Sequence, residues 1–103
     1  MYESLEPFFG YADGTSHSTQ NISSAAWAIF SPSGKLVIFQ WIRIGISTNN
    51  IVEYSTLIKL LFDAISFGIN RIIIRLDSQL VVLQLTSICT IMNATLHCIF
   101  LRV

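Results

Sequence analysis

Only six of the 103 residues are acidic, and three of them lie inside short motifs at the edges of strongly apolar elements. Asp13 sits in Tyr11-Ala12-Asp13-Gly14-Thr15, Glu53 in Thr48-Asn49-Asn50-Ile51-Val52-Glu53-Tyr54, and Asp77 in Leu76-Asp77-Ser78-Gln79-Leu80. A carboxylate beside apolar surface is expensive to keep unless it has a partner. Three carboxylates gathered at one place repel one another, and a pair of divalent, oxygen-seeking cations relieves that repulsion. Each residue also has a plainer use. Asp13-Gly14 can be a turn, Glu53 can close a capping box with Asn50, and Asp77 or Ser78 can cap a helix. Asn49 and Asn50, read alone, are ordinary loop residues.

Whether the three meet depends on the elements that carry them. Residues 8–12 read as a strand ended by Asp13-Gly14, followed by a polar Ser/Thr-rich loop over 14–24. Residues 25–30 and 35–44 are apolar and aromatic strands around a Ser31-Pro32-Ser33-Gly34 turn, so they form a hairpin. The period then changes. Glu53, Leu57, Leu60, Ala64 and Phe67 fall on one helical face, and Ser55, Lys59, Asp63 and Ser66 on another. Asn50 suits the N-cap of that helix and Gly68 its end. The Ile- and Leu-rich run 69–76 predicts a strand buried on both faces. Helices are expected over 78–85 and 94–102. The crossover through the long helix makes the strand at 69–76 parallel to the first. Asp13 and Asp77 then end neighbouring strands at one sheet edge, where ligands bind in such sheets. Glu53, in the first helical turn, points to the same spot.

Composition narrows the class. The chain is one domain at most, 52% hydrophobic and 12% charged. That is about half the usual charged share, and it suggests a fragment or a domain that buries surface against a partner. With zero formal net charge, no global basic field draws it to nucleic acid. The tract 57–76 is broken by Lys59, Asp63, Gly68, Asn70, Arg71 and Arg75, so no membrane span is expected. The N-terminus lacks a signal-peptide pattern. Cys89 and Cys98 have no metal-site spacing, so reduced thiols and an intracellular location, nuclear or cytoplasmic, are the default. Asn21-Ile22-Ser23 and Asn93-Ala94-Thr95 match the glycosylation pattern by chance. The two histidines read as surface or loop residues. Trp27, Trp41 and the phenylalanines read as core or sheet-packing residues rather than base-stacking platforms.

Taken in order, the motifs resemble the ribonuclease H domain of the type carried by plant retrotransposon polyproteins. The resemblance rests on Asp13-Gly14-Thr15, the Pro32-Ser33-Gly34 turn, Thr48 through Tyr54, and Asp77-Ser78-Gln79-Leu80-Val81, and covers residues 8–103. It implies an α/β fold: a mixed sheet of three antiparallel strands and at least one parallel strand, with helices packed on it. On this reading residues 1–103 are a single domain that is incomplete at its C-terminus. The last strand, the last helix and a fourth acidic ligand would be missing, supplied by a partner chain or a parent polyprotein. Two positions depart from the family pattern. Val52 stands where a small residue is usual, and Ser24-Ala25-Ala26-Trp27 replaces a glycine-rich segment.

The implied activity is hydrolysis of the RNA strand of an RNA–DNA hybrid with two magnesium ions, or manganese as a substitute. Asp13 would be the ligand shared between the metals, and Glu53 and Asp77 would hold one each. Gly14, Thr15, Asn49, Asn50, Ser78 and Gln79 would line the substrate side, with Asn49, Asn50 and Gln79 bonding in the hybrid's minor groove. The alternative is a degenerate, non-catalytic relative that keeps the fold for nucleic-acid binding or for packing.

Overall fold

The computed structural model describes residues 6–17, 22–45, 49–76, 82–93 and 95–102. The chain begins with three antiparallel strands, β1 (Phe8–His17), β2 (Ile22–Phe30) and β3 (Leu36–Arg43). The β2–β3 turn closes as expected. The amide of Gly34 donates to the carbonyl of Ser31 at 2.9 Å, and that of Ser31 to the carbonyl of Lys35 at 2.8 Å. Gly34 takes a left-handed φ of 90°, which a side chain would resist.

Strand β1 is longer than the sequence suggests. Thr15, Ser16 and His17 pair with Ser24, Ser23 and Ile22, so much of the expected 14–24 loop is ladder. Asp13 and Gly14 are not a turn but lie in register opposite Ala26 and Ala25. A polar strand of Ser and Thr has no apolar alternation to reveal it, although these side chains tolerate a pleated surface.

Helix α1 (Asn49–Ser66) packs across β1 and β2. Because it starts at Asn49, Asn50 lies inside the helix and is not its cap, and Glu53 opens the second turn rather than lying in the first. Gly68 ends it as expected, at φ 81°. The Gly68 amide donates to the Ile65 carbonyl and the Ile69 amide to the Ala64 carbonyl, each at 3.0 Å, the paired bonds of a left-handed C-terminal cap. Leu57, Leu60 and Ala64 are fully buried, whereas Phe67, past the helix end, is exposed. Val52 is accommodated without leaving the core, and Thr56 Oγ1 donates to its carbonyl at 2.6 Å.

Strand β4 (Arg71–Leu76) runs parallel to β1, and β5 (His97–Arg102) runs parallel to β4, giving the order β3-β2-β1-β4-β5. Helix α2 (Val82–Met92) joins them and ends later than the expected 78–85 segment; residues 77–81 lie outside the described residues. Two expectations are corrected here. Residues 97–102 are a strand rather than the end of a helix, so the fifth strand is present, not missing. A six-residue element with only four consecutive apolar residues is too short to separate helix from strand by period. β4 is also not buried on both faces: Ile72, Ile74 and Leu76 are buried while Arg71 and Arg75 are exposed.

The sheet is therefore one-sided among the described residues. Ala25, Trp27, Ile29, Ile72 and Ile74 face the helices and form the core with Leu57, Leu60, Leu61 and Leu85. The opposite face carries Tyr11, Phe39, Trp41, Ile99 and Leu101, all exposed. Phe39 and Trp41 thus belong to an open apolar surface, not to the interior. Cys89 and Cys98 are joined as a disulfide with Cα atoms 6.6 Å apart, linking α2 to β5. The expected free thiols are corrected accordingly. With 94–102 read as a helix, nothing in the spacing brought the two together. Among the described residues no helix is long and apolar enough to cross a membrane.

Candidate functional site

The site is built where the parallel strands end and α1 begins. Gly10 on β1 lies beneath Leu60 on α1: a Cβ placed on Gly10 would stand 3.2 Å from Leu60 Cδ2. From that contact β1 climbs three residues to Asp13, about 10 Å at strand rise. Helix α1 runs the other way along the sheet, because it follows the end of β3 and precedes the start of β4. From Leu60 back to Glu53 is seven residues, about 10 Å at helical rise. Asp13 and Glu53 therefore stand at about the same height above one packing contact. On the other side of β1, Leu76 pairs with Ala12. The residue before Asp77 is thus alongside the residue before Asp13.

The two described carboxylates differ in surroundings. Asp13 is exposed and pairs across the ladder with Ala26. It lines a groove of about 360 Å³ on the open sheet face with Tyr11, Ala26, Ala28, Phe39 and Arg75. The alanines of β2 form a low floor between aromatic walls, and the Tyr11 ring meets Phe30 edge-on at 5.5 Å. Arg75 brings a positive charge to the same groove. In the sequence it stands only as the flank of a strand. Glu53 is half-buried and approaches from the helix-covered side.

Gly14 and Thr15 continue β1 beyond Asp13, and Asn49 and Asn50 are the first residues of α1, at the same end of the sheet. Asp77, Ser78 and Gln79 lie outside the described residues. Among the described residues no group of three His, Cys, Asp or Glu side chains could hold a metal ion. The donor chemistry of Asp13 and Glu53 nonetheless suits a hard cation, since both offer carboxylate oxygens and neither offers sulfur or imidazole.

A further carboxylate was missed from sequence. Asp63, placed on the solvent face of α1 by period, accepts a hydrogen bond from the Trp27 indole at 2.6 Å, half-buried against β2. The two residues are 36 positions apart, and no local pattern links them. The bond fixes the lower half of α1 to the sheet, and so helps to set the height of Glu53.

Comparison with known proteins agrees with this layout. The pattern of the reverse transcriptase-like family matches residues 11–99. Ribonuclease HI of Halobacterium salinarum is 41% identical over 76 residues, which make up 74% of this chain and 38% of that protein. The chain thus spans well under half the length of that relative. The crystal structure of RNase H1 from the same archaeon superposes with a TM-score of 0.80 at 29% identity, covering 94% of this chain and 85% of that one. LC11-RNase H1, solved in complex with an RNA/DNA hybrid, superposes with a TM-score of 0.75 at 21% identity, covering 93% and 84%. The family pattern runs from the middle of β1 into β5 and takes in every element that carries Asp13 and Glu53, and on it this chain belongs to the reverse transcriptase-like family as a ribonuclease H-like domain.

Proposed function

We propose that the chain is a ribonuclease H-type endonuclease that hydrolyses the RNA strand of RNA–DNA hybrids at Asp13, Glu53 and Asp77. The observation that carries this reading is the parallel β1–β4 register. Ala12 opposite Leu76 puts the approaches to Asp13 and Asp77 side by side, at the end of the sheet where α1 begins with Asn49. The 41% identity to a ribonuclease HI supports the same chemistry, as does the hybrid bound by LC11-RNase H1.

Magnesium, with manganese as a substitute, supplies a polarised water and charge relief at the leaving oxygen when bound. Asp13, Glu53 and Asp77 are the oxygen donors that would hold it. Gly14 and Thr15 extend the strand past Asp13 so that backbone can approach the substrate. Asn49, Asn50, Ser78 and Gln79 supply hydrogen bonds to the hybrid, where the 2′-hydroxyl separates RNA from DNA. Within the family, the motifs at 48–54 and 77–81 favour the plant retrotransposon type.

A second reading, a non-catalytic domain that packs against another chain, draws on the open apolar face bearing Phe39 and Trp41. One assay separates the two. The chain is incubated with a labelled hybrid in magnesium and in manganese, beside Asp13→Asn and Asn49→Ala. The nuclease reading expects cleavage of RNA in the hybrid, an intact DNA duplex, no cleavage by Asp13→Asn, and weaker hybrid binding by Asn49→Ala. A folded chain silent in both metals supports the second reading. Cleavage that survives Asp13→Asn refutes the assignment of the site.

A further inference from the structure

The sheet face turned away from the helices brings aromatic rings and positive charge together. Tyr11 and Phe39 flank Ala28 across three adjacent strands, and Asp13 and Trp41 flank Ala26 in the next row. Tyr11, Phe39 and Trp41 are all exposed, Phe39 and Trp41 by more than half. Two strand spacings separate Tyr11 from Phe39, about 10 Å where the side chains leave the sheet. A flat ring in van der Waals contact on both faces needs about 7–8 Å. The alanine floor between the walls therefore has room for one planar ring, and the edge-on contact with Phe30 braces Tyr11. Arg75 pairs with Tyr11 across the parallel ladder, and Arg43 follows Trp41 on the same face of β3. An exposed guanidinium thus stands on either side of the aromatic set. Among the described strand residues Asp13 is the one acid, whereas Glu53 and Asp63 lie on α1.

We propose that this face binds single-stranded nucleic acid, with Tyr11, Phe39 and Trp41 stacking on unpaired bases and Arg43 and Arg75 holding phosphates. Aromatic side chains on an open sheet can stack about two or three splayed bases. The mode tolerates any sequence, because every base has a ring face. Arginine suits the phosphates, since its planar fork matches their oxygens. With zero formal net charge on the chain, the attraction is local to this face and not a global field. A duplex keeps its ring faces inside its own stack and can use only the arginines. A protein partner would have to bring carboxylates to Arg43 and Arg75, whereas a nucleic-acid strand carries an anion at every nucleotide. The groove runs on to Asp13, but the inference does not rest on the nuclease reading, because stacking and ion pairing need neither metal nor cleavage.

The test titrates the whole 103-residue chain with short oligouridylate and oligothymidylate in EDTA, where no metal-dependent cleavage occurs. Of the two tryptophans, Trp27 is buried and Trp41 exposed, so saturation should quench up to about half of the indole emission as bases stack on Trp41. Both oligonucleotides should bind, because the contacts reach ring faces and phosphates and not the 2′-hydroxyl. A duplex of the same length should bind at least about tenfold more weakly. Trp41→Ala and Phe39→Ala should each weaken binding about tenfold by anisotropy, and Trp41→Phe should keep it. Arg75→Ala should lower the slope of log K against log salt by about 0.7. Lys59→Ala, exposed on α1 behind the sheet, should change nothing. A duplex bound as tightly as the single strands would overturn the proposal, as would a loss with Lys59→Ala equal to that with Arg75→Ala. So would a chain that self-associates in sedimentation and binds neither oligonucleotide, which would make the face a protein interface. The quenching and duplex comparisons use the wild-type chain, so they decide the question even where a variant fails to fold.

Discussion

Replacing Gly10 with Ala tests the contact from which the heights of Asp13 and Glu53 are measured. The new Cβ would stand 3.1 Å from Ile72 Cδ1, 3.2 Å from Leu60 Cδ2 and 3.3 Å from Ile74 Cγ1. Carbon atoms prefer about 3.5–4.0 Å, so all three contacts are compressed by a few tenths of an ångström. All three neighbours are fully buried or nearly so, and none can swing into solvent. Overpacking a core in this way costs about 1–3 kcal/mol. Removing a glycine from a strand returns about 0.5–1 kcal/mol through the unfolded chain. The net expectation is destabilisation of about 1 kcal/mol, a melting temperature lower by roughly 4–8 °C. Urea unfolding checks the size, and a double-mutant cycle checks the cause. Ile72→Val deletes the atom of closest approach and alone costs about 0.5–1.5 kcal/mol. In the Gly10→Ala background it should cost nothing or stabilise, giving a coupling of about 1 kcal/mol. Additivity of the two substitutions, or a Gly10→Ala protein as stable as wild type, would refute the close packing of α1 on β1.

Three other outcomes are expected. Magnesium or manganese should raise the melting temperature by relieving carboxylate repulsion, and Asp77→Asn should blunt that rise; an equal rise in both proteins places metal binding elsewhere. Trp27→Phe should lose about 1.5–3 kcal/mol in denaturant unfolding, because Asp63 loses the indole donor in a half-buried position. Trp41→Lys should leave stability within about 0.5 kcal/mol and improve solubility, since Trp41 is 57% exposed on an edge strand; a loss above about 1 kcal/mol would show that this face is covered.

What the sequence made legible was what repeats at short range. The hairpin follows from Pro32 and Gly34 between two apolar runs, α1 from Leu57, Leu60 and Ala64 at helical spacing, and its end from Gly68. The parallel placement of β4 follows from the crossover rule and holds in the register. What failed lacked a local signature. The extension of β1 through His17 is written in Ser and Thr, which suit loops as well as strands. β5 is six residues long, below the length at which period decides. The reading of β4 as two-sided failed because Ile73 sits on the open face, where an apolar residue is not excluded. The Cys89–Cys98 and Trp27–Asp63 pairings depend on where distant elements dock. Of the candidate site, the motifs singled out Asp13 and Glu53, but they put Asp13 at the end of its strand, whereas β1 continues through His17. They did not mark Arg75 beside Asp13, because cross-strand neighbours at that distance have no sequence spacing to read.

The placement of β1 between β2 and β4 has a kinetic consequence. Its antiparallel partner follows within a few residues, whereas its parallel partner Ile74 is sixty-four positions from Gly10. Closing the long loop costs entropy before any contact repays it, so the β1–β4 ladder should form late. During synthesis the three-stranded meander can assemble while the rest of the chain is still in the ribosome. The edge of β1 then waits unpaired until Leu76 has emerged. For that interval the nascent chain presents a bare apolar strand, the species most prone to pair with a neighbour's edge. The step that aligns Ala12 with Leu76 is thus also the one that covers the β1 edge.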